Sequence, residues 1–296
     1  MNFSRRQLLA AAGSAALLAA CGEDSKSGAS TTLGNAAPTD GTGAPAGGWA
    51  IVQRFPNHPL FTPGEVRLPI SLADQTRMLD NGPAKLTGWI EDFNGTRITD
   101  ITGIRRGEGL PTPYWEVRAT LQQAVIHTMR FEGDDGYGAT FELFDPSDVK
   151  TPPTGTALPP FDTPTKDDHR GVEPYCSLTP KPCPLHDVTL RDALATGKPV
   201  AYMVGTPAHC TTGTCTPGLQ FLVGEHERVG DEIVMVHADV YADAEATEVS
   251  PAVTSLGALY EPIIYFCTAD GVIVDRLDGV WDRSELTERV DALLAR

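Results

Sequence analysis

The feature that most constrains the fold of this chain is a pair of cysteines between an apolar strand and a helix. Residues 199–204 (Pro-Val-Ala-Tyr-Met-Val) have the length and composition of a buried strand, and residues 219–226 follow a helical pattern. Cys210 and Cys215 lie between them. A cysteine at a helix N-terminus is close to unpaired backbone N–H groups and to the positive end of the helix dipole, and both stabilise a thiolate. The turn therefore indicates thiol chemistry.

Within this turn, the pattern predicts Cys210 as the nucleophile and Cys215 as the cysteine that resolves the mixed disulfide. His209 directly precedes the nucleophile. Its imidazole can add a positive charge or carry a proton, and it can equally be an exposed neighbour without a role.

The spacing of the two cysteines restricts the backbone between them. Residues five apart in a regular helix have Cα atoms about 8.6 Å apart, whereas a disulfide needs a separation below about 7 Å. Cys210 and Cys215 can therefore bond only if residues 211–214 are not helical, with the helix beginning at Thr216 or Pro217. This leaves three interpretations of the pair: a catalytic couple, a structural disulfide, or a metal site.

Residues 1–21 have the pattern of an export signal and are excluded from the fold. Arg5 and Arg6 precede an apolar run, Leu8 to Ala20, that is too short to span a bilayer comfortably. Cys21 ends this run, which resembles the lipobox of bacterial lipoproteins. The resemblance implies that Cys21 is lipidated and that palmitate is among its acyl chains. The twin arginine implies Tat export. We expect a lipid-anchored protein on the extracytoplasmic face of the cell membrane.

Charge and compartment narrow the range of partners. The chain has 23 basic and 39 acidic residues, a formal charge of −16. Removal of the signal takes away two arginines and no acid, so the mature chain is more negative still. Such a surface repels nucleic acid and anionic lipid headgroups. Outside the cytoplasm, disulfides are permitted and persist.

Three cysteines remain after the turn and the lipobox are assigned. Cys176 and Cys183 lie in a proline-rich loop and are predicted to form a structural disulfide. Two alternatives stay open: a shuttle that passes electrons to Cys210, and a metal site that includes His186. Cys267 lies in an apolar run and is predicted to be a buried thiol.

Composition divides the chain into segments. Residues 22–48 are rich in small and polar residues and predict a disordered tether. Residues 49–145 contain about seven short alternating segments and turn signals, which favour an all-β immunoglobulin-like sandwich. Residues 146–171 are proline-rich and predict a linker that spaces the domains or lies along one of them. Residues 172–296 form the second domain.

The second domain resembles the thioredoxin fold over residues 185–296. The order of predicted elements is helix, strand, cysteine turn, helix, strand, helix, proline, strand, hairpin, strand, helix. The resemblance implies that Pro262 is cis and packs against the active-site cysteine. The chain departs from the family in having four residues between Cys210 and Cys215 where thioredoxins have two. Through its Pro-x-x-Cys…Cys turn at 207–215 and its Cys-Pro-Leu-His loop at 183–186, the whole layout resembles exported actinobacterial lipoproteins that join a β-sandwich to a thioredoxin-like domain.

The function that the sequence predicts is a membrane-anchored thiol–disulfide oxidoreductase. Cys210, Cys215, Pro262 and His209 form its predicted site, and exported protein thiols or disulfides are its predicted partners. No cofactor and no metal are predicted. Two other functions stay open: a binding or scaffold lipoprotein without catalysis, and a copper-binding chaperone, since copper chaperones of oxidase assembly share the fold and use cysteine and histidine ligands.

Overall fold

Two β-sheets follow one another along the chain in a computed structural model, which describes residues 48–56 and 59–296. The predicted signal, Cys21 and all of the predicted tether except Gly48 lie outside the described residues. Among the residues described, no helix is both long enough and apolar enough to cross a membrane.

The first sheet contains eight antiparallel strands. Alternating burial along Lys85–Asp92 and the turn at residues 92–95 are as the pattern predicts. The alternating segment at 65–72 forms two strands and not one, because Pro69 has no N–H to donate to a neighbouring strand. The strands are β1 (Ala50–Gln53), β2 (Gly64–Arg67), β3 (Ile70–Ala73), β4 (Lys85–Asp92), β5 (Arg97–Arg106), β6 (Tyr114–Leu121), β7 (Ile126–Phe131) and β8 (Ala139–Glu142).

This sheet is nearly closed, which differs from the predicted immunoglobulin-like sandwich. The strand order is β1-β3-β6-β5-β4-β7-β8, and β2 also pairs with β6. The two ends of the sheet approach each other: the Phe144 N–H donates to the Phe61 carbonyl at 2.8 Å, and Trp49 bridges to Asp134. A sandwich has two separate sheets. Alternation predicts strands and their buried faces but not their partners, so both arrangements fit the same pattern.

The second sheet is mixed and has helices on both faces. Its strands are β9 (Val200–Val204), β10 (Val234–Ala238), β11 (Ile263–Cys267) and β12 (Ile273–Asp278), in the order β10-β9-β11-β12. β10 is parallel to β9, and the other two pairings are antiparallel. The helices are α1 (Leu190–Ala195), α2 (Cys215–Val229), α3 (Pro251–Leu256) and α4 (Arg283–Leu294). The predicted order of elements is therefore found.

Alternate side chains of the central strands pack against opposite helix pairs. Ala201 and Met203 of β9 lie in the core with α2 and α4, whereas Val200, Tyr202 and Val204 lie in the core with α1 and α3. Strand side chains point to opposite faces in turn, so a strand that is apolar at every position is buried on both sides. This explains why residues 200–204 carry no charged side chain.

The proline-rich segment 146–171 lies along the second sheet. Leu158 and Phe161 are buried in the core shared with α1 and α3. The Leu158 N–H donates to the Gly271 carbonyl at 3.0 Å, and Ala157 forms an isolated bridge with Val272. The segment predicted as a linker is thus packed against the fold.

The described residues from Gly48 onward belong to one compact unit. Within it, a buried ion pair connects the two sheets. The guanidinium of Arg67, on β2, donates to both carboxylate oxygens of Glu285 at 2.7 and 2.6 Å, and it also donates to the carbonyls of Asp278 and Val280. Tyr114 donates to the same carboxylate. The hydrogen-bond partners of this guanidinium lie on strand β12, directly after it, or on helix α4.

Candidate functional site

The cysteine turn contains a disulfide. Cys210 and Cys215 are bonded, with Cα atoms 6.0 Å apart. Residues 211–214 form a non-helical turn, as the spacing requires. The helix begins at Cys215, slightly earlier than predicted, and Thr214 is its N-cap residue. Cys215, and not Cys210, therefore holds the first helical position.

The sulfur of Cys210 nevertheless lies at the helix N-terminus. It accepts the backbone N–H of Cys215 at 3.3 Å and lies 3.2 Å from the hydroxyl of Thr212. Cys210 is partly exposed. Donors of this kind stabilise the negative charge of a thiolate. The predicted nucleophile is thus the accessible sulfur of the pair.

Cys215 is fully buried, and its sulfur faces a carboxylate. The sulfur lies 3.5 Å from Glu261 Oε2, which also accepts the backbone N–H of Thr206. Burial raises the pKa of Glu261, and the nearby charge of Asp239 raises it further, while the Thr206 hydrogen bonds and the charge of His209 lower it. A carboxyl group with a raised pKa is suited to accept a proton from a buried thiol.

Pro262 and Gly205 enclose the other side of the Cys215 sulfur. The Glu261–Pro262 peptide bond is cis, as the resemblance implied. A Cβ at Gly205 would lie 3.2 Å from Pro262 Cβ and 3.5 Å from Cys215 Sγ. A side chain at position 205, directly after strand β9, would therefore crowd Pro262, whereas its distance from the Cys215 sulfur would be an ordinary contact.

The ring of His209 contacts the segment that follows strand β10. Its Nε2 lies 2.9 Å from the Ala244 carbonyl, and the ring meets Tyr241 edge to face at 5.7 Å between centroids. The predicted part of His209 in proton transfer stays a prediction.

Cys176 and Cys183 do not form the disulfide that their loop predicts; both are free and buried. Instead, their sulfurs lie 3.8 and 3.6 Å from Nδ1 of His237. His186 joins them, with its Nε2 3.2 Å from the same Nδ1. The prediction of a disulfide considered only the loop, whereas His237 comes to the cysteines from strand β10. We call these four residues the Cys-His cluster.

The Cys-His cluster is buried and compact. Its four side chains are 0–5% exposed, and their possible ligand atoms all lie within 4.8 Å of one another. A hydrogen bond from the Cys183 thiol lowers the pKa of Cys176, with further lowering by His186 and His237. The same bond raises the pKa of Cys183. The cluster can therefore hold a thiolate, and it is one of two groups of described residues with metal-ligand geometry; Cys210, Cys215 and Glu261 form the other.

The Cys-His cluster and the cysteine turn are adjacent. Nε2 of His237 lies 2.8 Å from the Gly205 carbonyl, and Gly205 also borders Cys215. The backbone N–H of Ala208, inside the turn, donates to the hydroxyl of Ser177 at 3.2 Å. The loop that carries Cys176 therefore also supports the turn that carries Cys210.

The remaining cysteine and a cleft between the two sheets lie away from this region. Cys267 is a buried thiol, as predicted, and burial raises its pKa to about 12. A cleft of about 330 Å³ opens in the seam between the two sheets and includes Arg67, Arg118 and Arg276. These arginines are paired with carboxylates. We therefore place the chemistry at the cysteines and not in this cleft.

Sequence reasoning missed Glu261. It considered His237 as the distant histidine of a copper site, but the place of His237 within a predicted strand favoured a structural role. Glu261 had one usable signal, its position directly before the proline that the resemblance places at the active site. His237 is the only ionisable residue of strand β10. A buried histidine within an apolar strand needs a polar partner, but sequence alone does not say which partner.

Comparisons with known proteins give little further information. No family model matches the chain, and no curated protein matches it significantly. One solved structure with some similarity is the C-terminal domain of an inferred thiol-disulfide oxidoreductase from Bacteroides thetaiotaomicron. The similarity covers 50% of this chain and 99% of that domain, at 11% sequence identity and a TM-score of 0.35. A likeness of this size carries no argument about activity.

Proposed function

We propose that the protein is a thiol–disulfide oxidoreductase of the thioredoxin-like type that uses Cys210 and Cys215. The observation that carries the proposal is the asymmetry of this disulfide. One sulfur is accessible and accepts a helix N-terminal N–H, and the other is buried against a carboxylate. A purely structural disulfide needs neither an accessible sulfur nor a neighbouring proton acceptor.

In the first step, the thiolate of Cys210 in the reduced protein attacks one sulfur of a substrate disulfide. A bond forms between Cys210 Sγ and that sulfur, and the substrate S–S bond breaks. The second substrate sulfur leaves as a thiolate and takes a proton from water. The N–H of Cys215 and the hydroxyl of Thr212 stabilise the attacking thiolate.

In the second step, the thiol of Cys215 transfers its proton to the carboxylate of Glu261, and its sulfur attacks Cys210 Sγ. The mixed disulfide breaks, and the substrate sulfur leaves and is protonated. The protein loses two electrons and regains its disulfide, and the substrate gains two electrons and two protons. The same steps in reverse oxidise a substrate dithiol.

The proposed location is the extracytoplasmic face of the cell membrane, with the lipid on Cys21 as anchor. Support comes from the sequence of residues 1–21 alone. Exported protein thiols or disulfides are the proposed partners. Labelling cells with a palmitate analogue tests the anchor. The wild-type protein is expected to be labelled and recovered in the membrane fraction, whereas Cys21→Ala is expected to be unlabelled and absent from that fraction.

Reduction of insulin by dithiothreitol tests the redox activity. We expect the wild-type protein to accelerate it and Cys210→Ala to abolish the acceleration. Cys215→Ser is expected to retain the first step only and to accumulate a mixed disulfide through Cys210, which mass spectrometry of non-reduced peptides detects.

Cys267→Ser is the matched control, since it removes a buried thiol that lies outside the turn. It is expected to retain wild-type activity. Either no acceleration by the wild-type protein, or acceleration that persists in Cys210→Ala, would reject the oxidoreductase and favour the scaffold interpretation.

A further inference from the structure

We propose that the Cys-His cluster (Cys176, Cys183, His186 and His237) binds a structural Zn²⁺ ion. The ion joins the proline-rich loop before α1 to strand β10, directly behind the cysteine turn. This site is separate from the proposed redox chemistry and does not depend on it.

The distances within the cluster suit a tetrahedral ion. With zinc–nitrogen bonds of about 2.0–2.1 Å and zinc–sulfur bonds of about 2.3 Å, tetrahedral ligands lie about 3.4 Å apart for two nitrogens and about 3.6 Å apart for nitrogen and sulfur. The two imidazole nitrogens here are 3.2 Å apart, and the nitrogen–sulfur distances are 3.6 and 3.8 Å. The four side chains therefore already surround a volume of the right size.

The outer nitrogen of each histidine faces a carbonyl oxygen, which can only accept a hydrogen bond. Nε2 of His237 lies 2.8 Å from the Gly205 carbonyl, and Nδ1 of His186 lies 3.4 Å from the Pro164 carbonyl. Each outer nitrogen therefore carries a proton, and in a neutral imidazole the other nitrogen then has a lone pair. Outer-nitrogen hydrogen bonds of this kind orient the histidine ligands of metal sites.

When both imidazoles are neutral, the two inner nitrogens therefore point lone pairs at each other across 3.2 Å. Two acceptors at that distance repel unless a proton or a metal ion lies between them. The two sulfurs converge on the same point, and the backbone N–H of Cys183 donates to the sulfur of Cys176 at 3.4 Å, as it would to a metal-bound thiolate. A metal ion satisfies all four groups together.

The ligand set and its burial indicate zinc in a structural role. Two cysteines and two histidines in a tetrahedral arrangement are typical of structural zinc sites, and all four positions are filled by protein. Because the four side chains are 0–5% exposed, no position is open to water or substrate. A catalytic ion would need one open position.

Asp239 supports the histidine from the side opposite the proposed ion. Its Oδ1 lies 3.5 Å from Nε2 of His237, and its Oδ2 accepts the backbone N–H of Ser177 at 2.9 Å. A carboxylate beside the outer nitrogen of a ligating histidine is a common arrangement at zinc. It also ties the residue after Cys176 to strand β10, where His237 lies.

Metal analysis of the full-length protein tests the site. The chain is expressed with Cys210→Ser and Cys215→Ser, which removes the thiols of the second candidate metal group, and is extracted in detergent without chelator. We expect about one zinc per chain. Replacement of zinc by Co²⁺ is expected to give the strong visible absorption of a tetrahedral ion and a thiolate-to-cobalt charge-transfer band.

Two variants locate the ion. His186→Gln and Cys183→Ser, each in the same background, are expected to lower zinc affinity at least about tenfold, whereas Cys267→Ser leaves it unchanged. The metal content and Co²⁺ spectrum of the unaltered cluster do not depend on whether a variant folds.

Three results would overturn the proposal. They are absence of zinc together with no tetrahedral spectrum on adding Co²⁺, a Cys176–Cys183 disulfide in the freshly isolated protein, and preferential retention of copper over zinc. The activity assays with Cys210 variants are separate, so either proposal can fail while the other stands.

Discussion

The surroundings of the Cys210 and Cys215 sulfurs differ. Only the Cys215 sulfur lies beside Glu261, whose carboxylate can accept the thiol proton. The Cys215 sulfur has no exposed surface, so its proton cannot pass directly to water. Glu261 Oε2 is 3.5 Å from it. A buried thiol without such an acceptor would form its thiolate slowly.

The pH dependence of Glu261→Gln tests this role. Glu261 must be ionised to accept the proton, so the wild-type second step is expected to slow as the pH falls through the raised pKa of Glu261. Glutamine cannot accept the proton, and we expect resolution to be about 100-fold slower and to lose this dependence. Stopped-flow measurement of mixed-disulfide decay reports the rate.

Burial and the neighbouring groups together determine the pKa of Glu261. Besides burial, Asp239 raises its pKa, while hydrogen bonds from Thr206 and the charge of His209 lower it. Glu245→Gln, at an exposed position, is the matched control and is expected to behave as wild type. Equal rates and pH profiles for Glu261→Gln and wild type would exclude Glu261 as the proton acceptor.

The raised pKa of Glu261 also predicts how the free energy of unfolding changes with pH. Because the folded-state pKa of Glu261 lies above its ordinary value of 4.5, the folded protein binds more protons than the unfolded chain as the pH rises from about 4.5 to the raised value. Stability contributed by the protonated carboxyl is lost over that window. We expect Glu261→Gln to gain stability relative to wild type as the pH rises through it, measured by denaturant unfolding.

At the scale of elements, the cysteine turn is a loop closed by Gly213 in front of helix α2. Gly213 has φ +68°, and its N–H donates to the Cys210 carbonyl at 3.2 Å. This conformation is easy for glycine and unfavourable for residues with a Cβ. The backbone of one residue thus lets two cysteines five positions apart come within bonding distance.

Gly213→Val is expected to shift the dithiol–disulfide equilibrium toward the dithiol. The left-handed backbone costs about 1–2 kcal/mol for a residue with a Cβ, and the reduced turn can relax that strain while the closed ring cannot. We expect a shift of roughly five-fold or more in a glutathione redox titration, since 1.4 kcal/mol corresponds to about tenfold.

Gly197→Val is the matched control for the turn. Gly197 has φ +72°, and, as at Gly213, an added Cβ would have open space around it, but it lies after helix α1. It is expected to lower stability without moving the redox equilibrium. If both variants shifted the dithiol–disulfide equilibrium equally, Gly213 would have no specific role in closing the turn.

At the scale of the whole molecule, the bidentate contact of Arg67 with Glu285 connects the two sheets. Both side chains are almost completely buried. Arg67→Met leaves the Glu285 carboxylate buried without its partner, and we expect a loss of about 3–5 kcal/mol in the free energy of unfolding. Chemical denaturation measures it.

Two further variants separate the ion pair from general packing. Arg77→Met removes one member of an exposed pair with Asp80 and is expected to cost about 0–1 kcal/mol. The double change Arg67→Met with Glu285→Leu is expected to recover part of the single-variant loss, since neither position of this pair is then charged. A double variant less stable than either single one would contradict this account.

Removal of zinc gives a second prediction at this scale, and it depends on the proposed Cys-His cluster. A ligand that binds only the folded state stabilises it, by about 4 kcal/mol at a thousand times its dissociation constant. We expect a strong chelator to lower the melting temperature of the wild-type protein and to leave His186→Gln nearly unchanged. Equal chelator effects on both proteins would contradict binding at the cluster.

The sequence alone determined much of the second sheet. The apolar run at 200–204 predicts a strand buried on both faces, which is found. Threonine is a residue type that favours the N-cap, and the side chain of Thr189 accepts the Asp192 N–H at the start of α1. The spacing of Cys210 and Cys215 required a non-helical turn, which is found. Each of these properties depends on near neighbours in the chain, which a sequence pattern records directly.

Only the tertiary structure decided which distant residues meet. The prediction for Cys176 and Cys183 was a disulfide, because His237 lies more than 50 residues away and reaches them only through the placement of β10. The contact of Glu261 with Cys215 also joins residues that are distant in the sequence. The same is true of the strand pairings that make the first sheet nearly closed. Periodicity specifies which face of an element is buried, but the partner on that face depends on how strands pair across the whole chain.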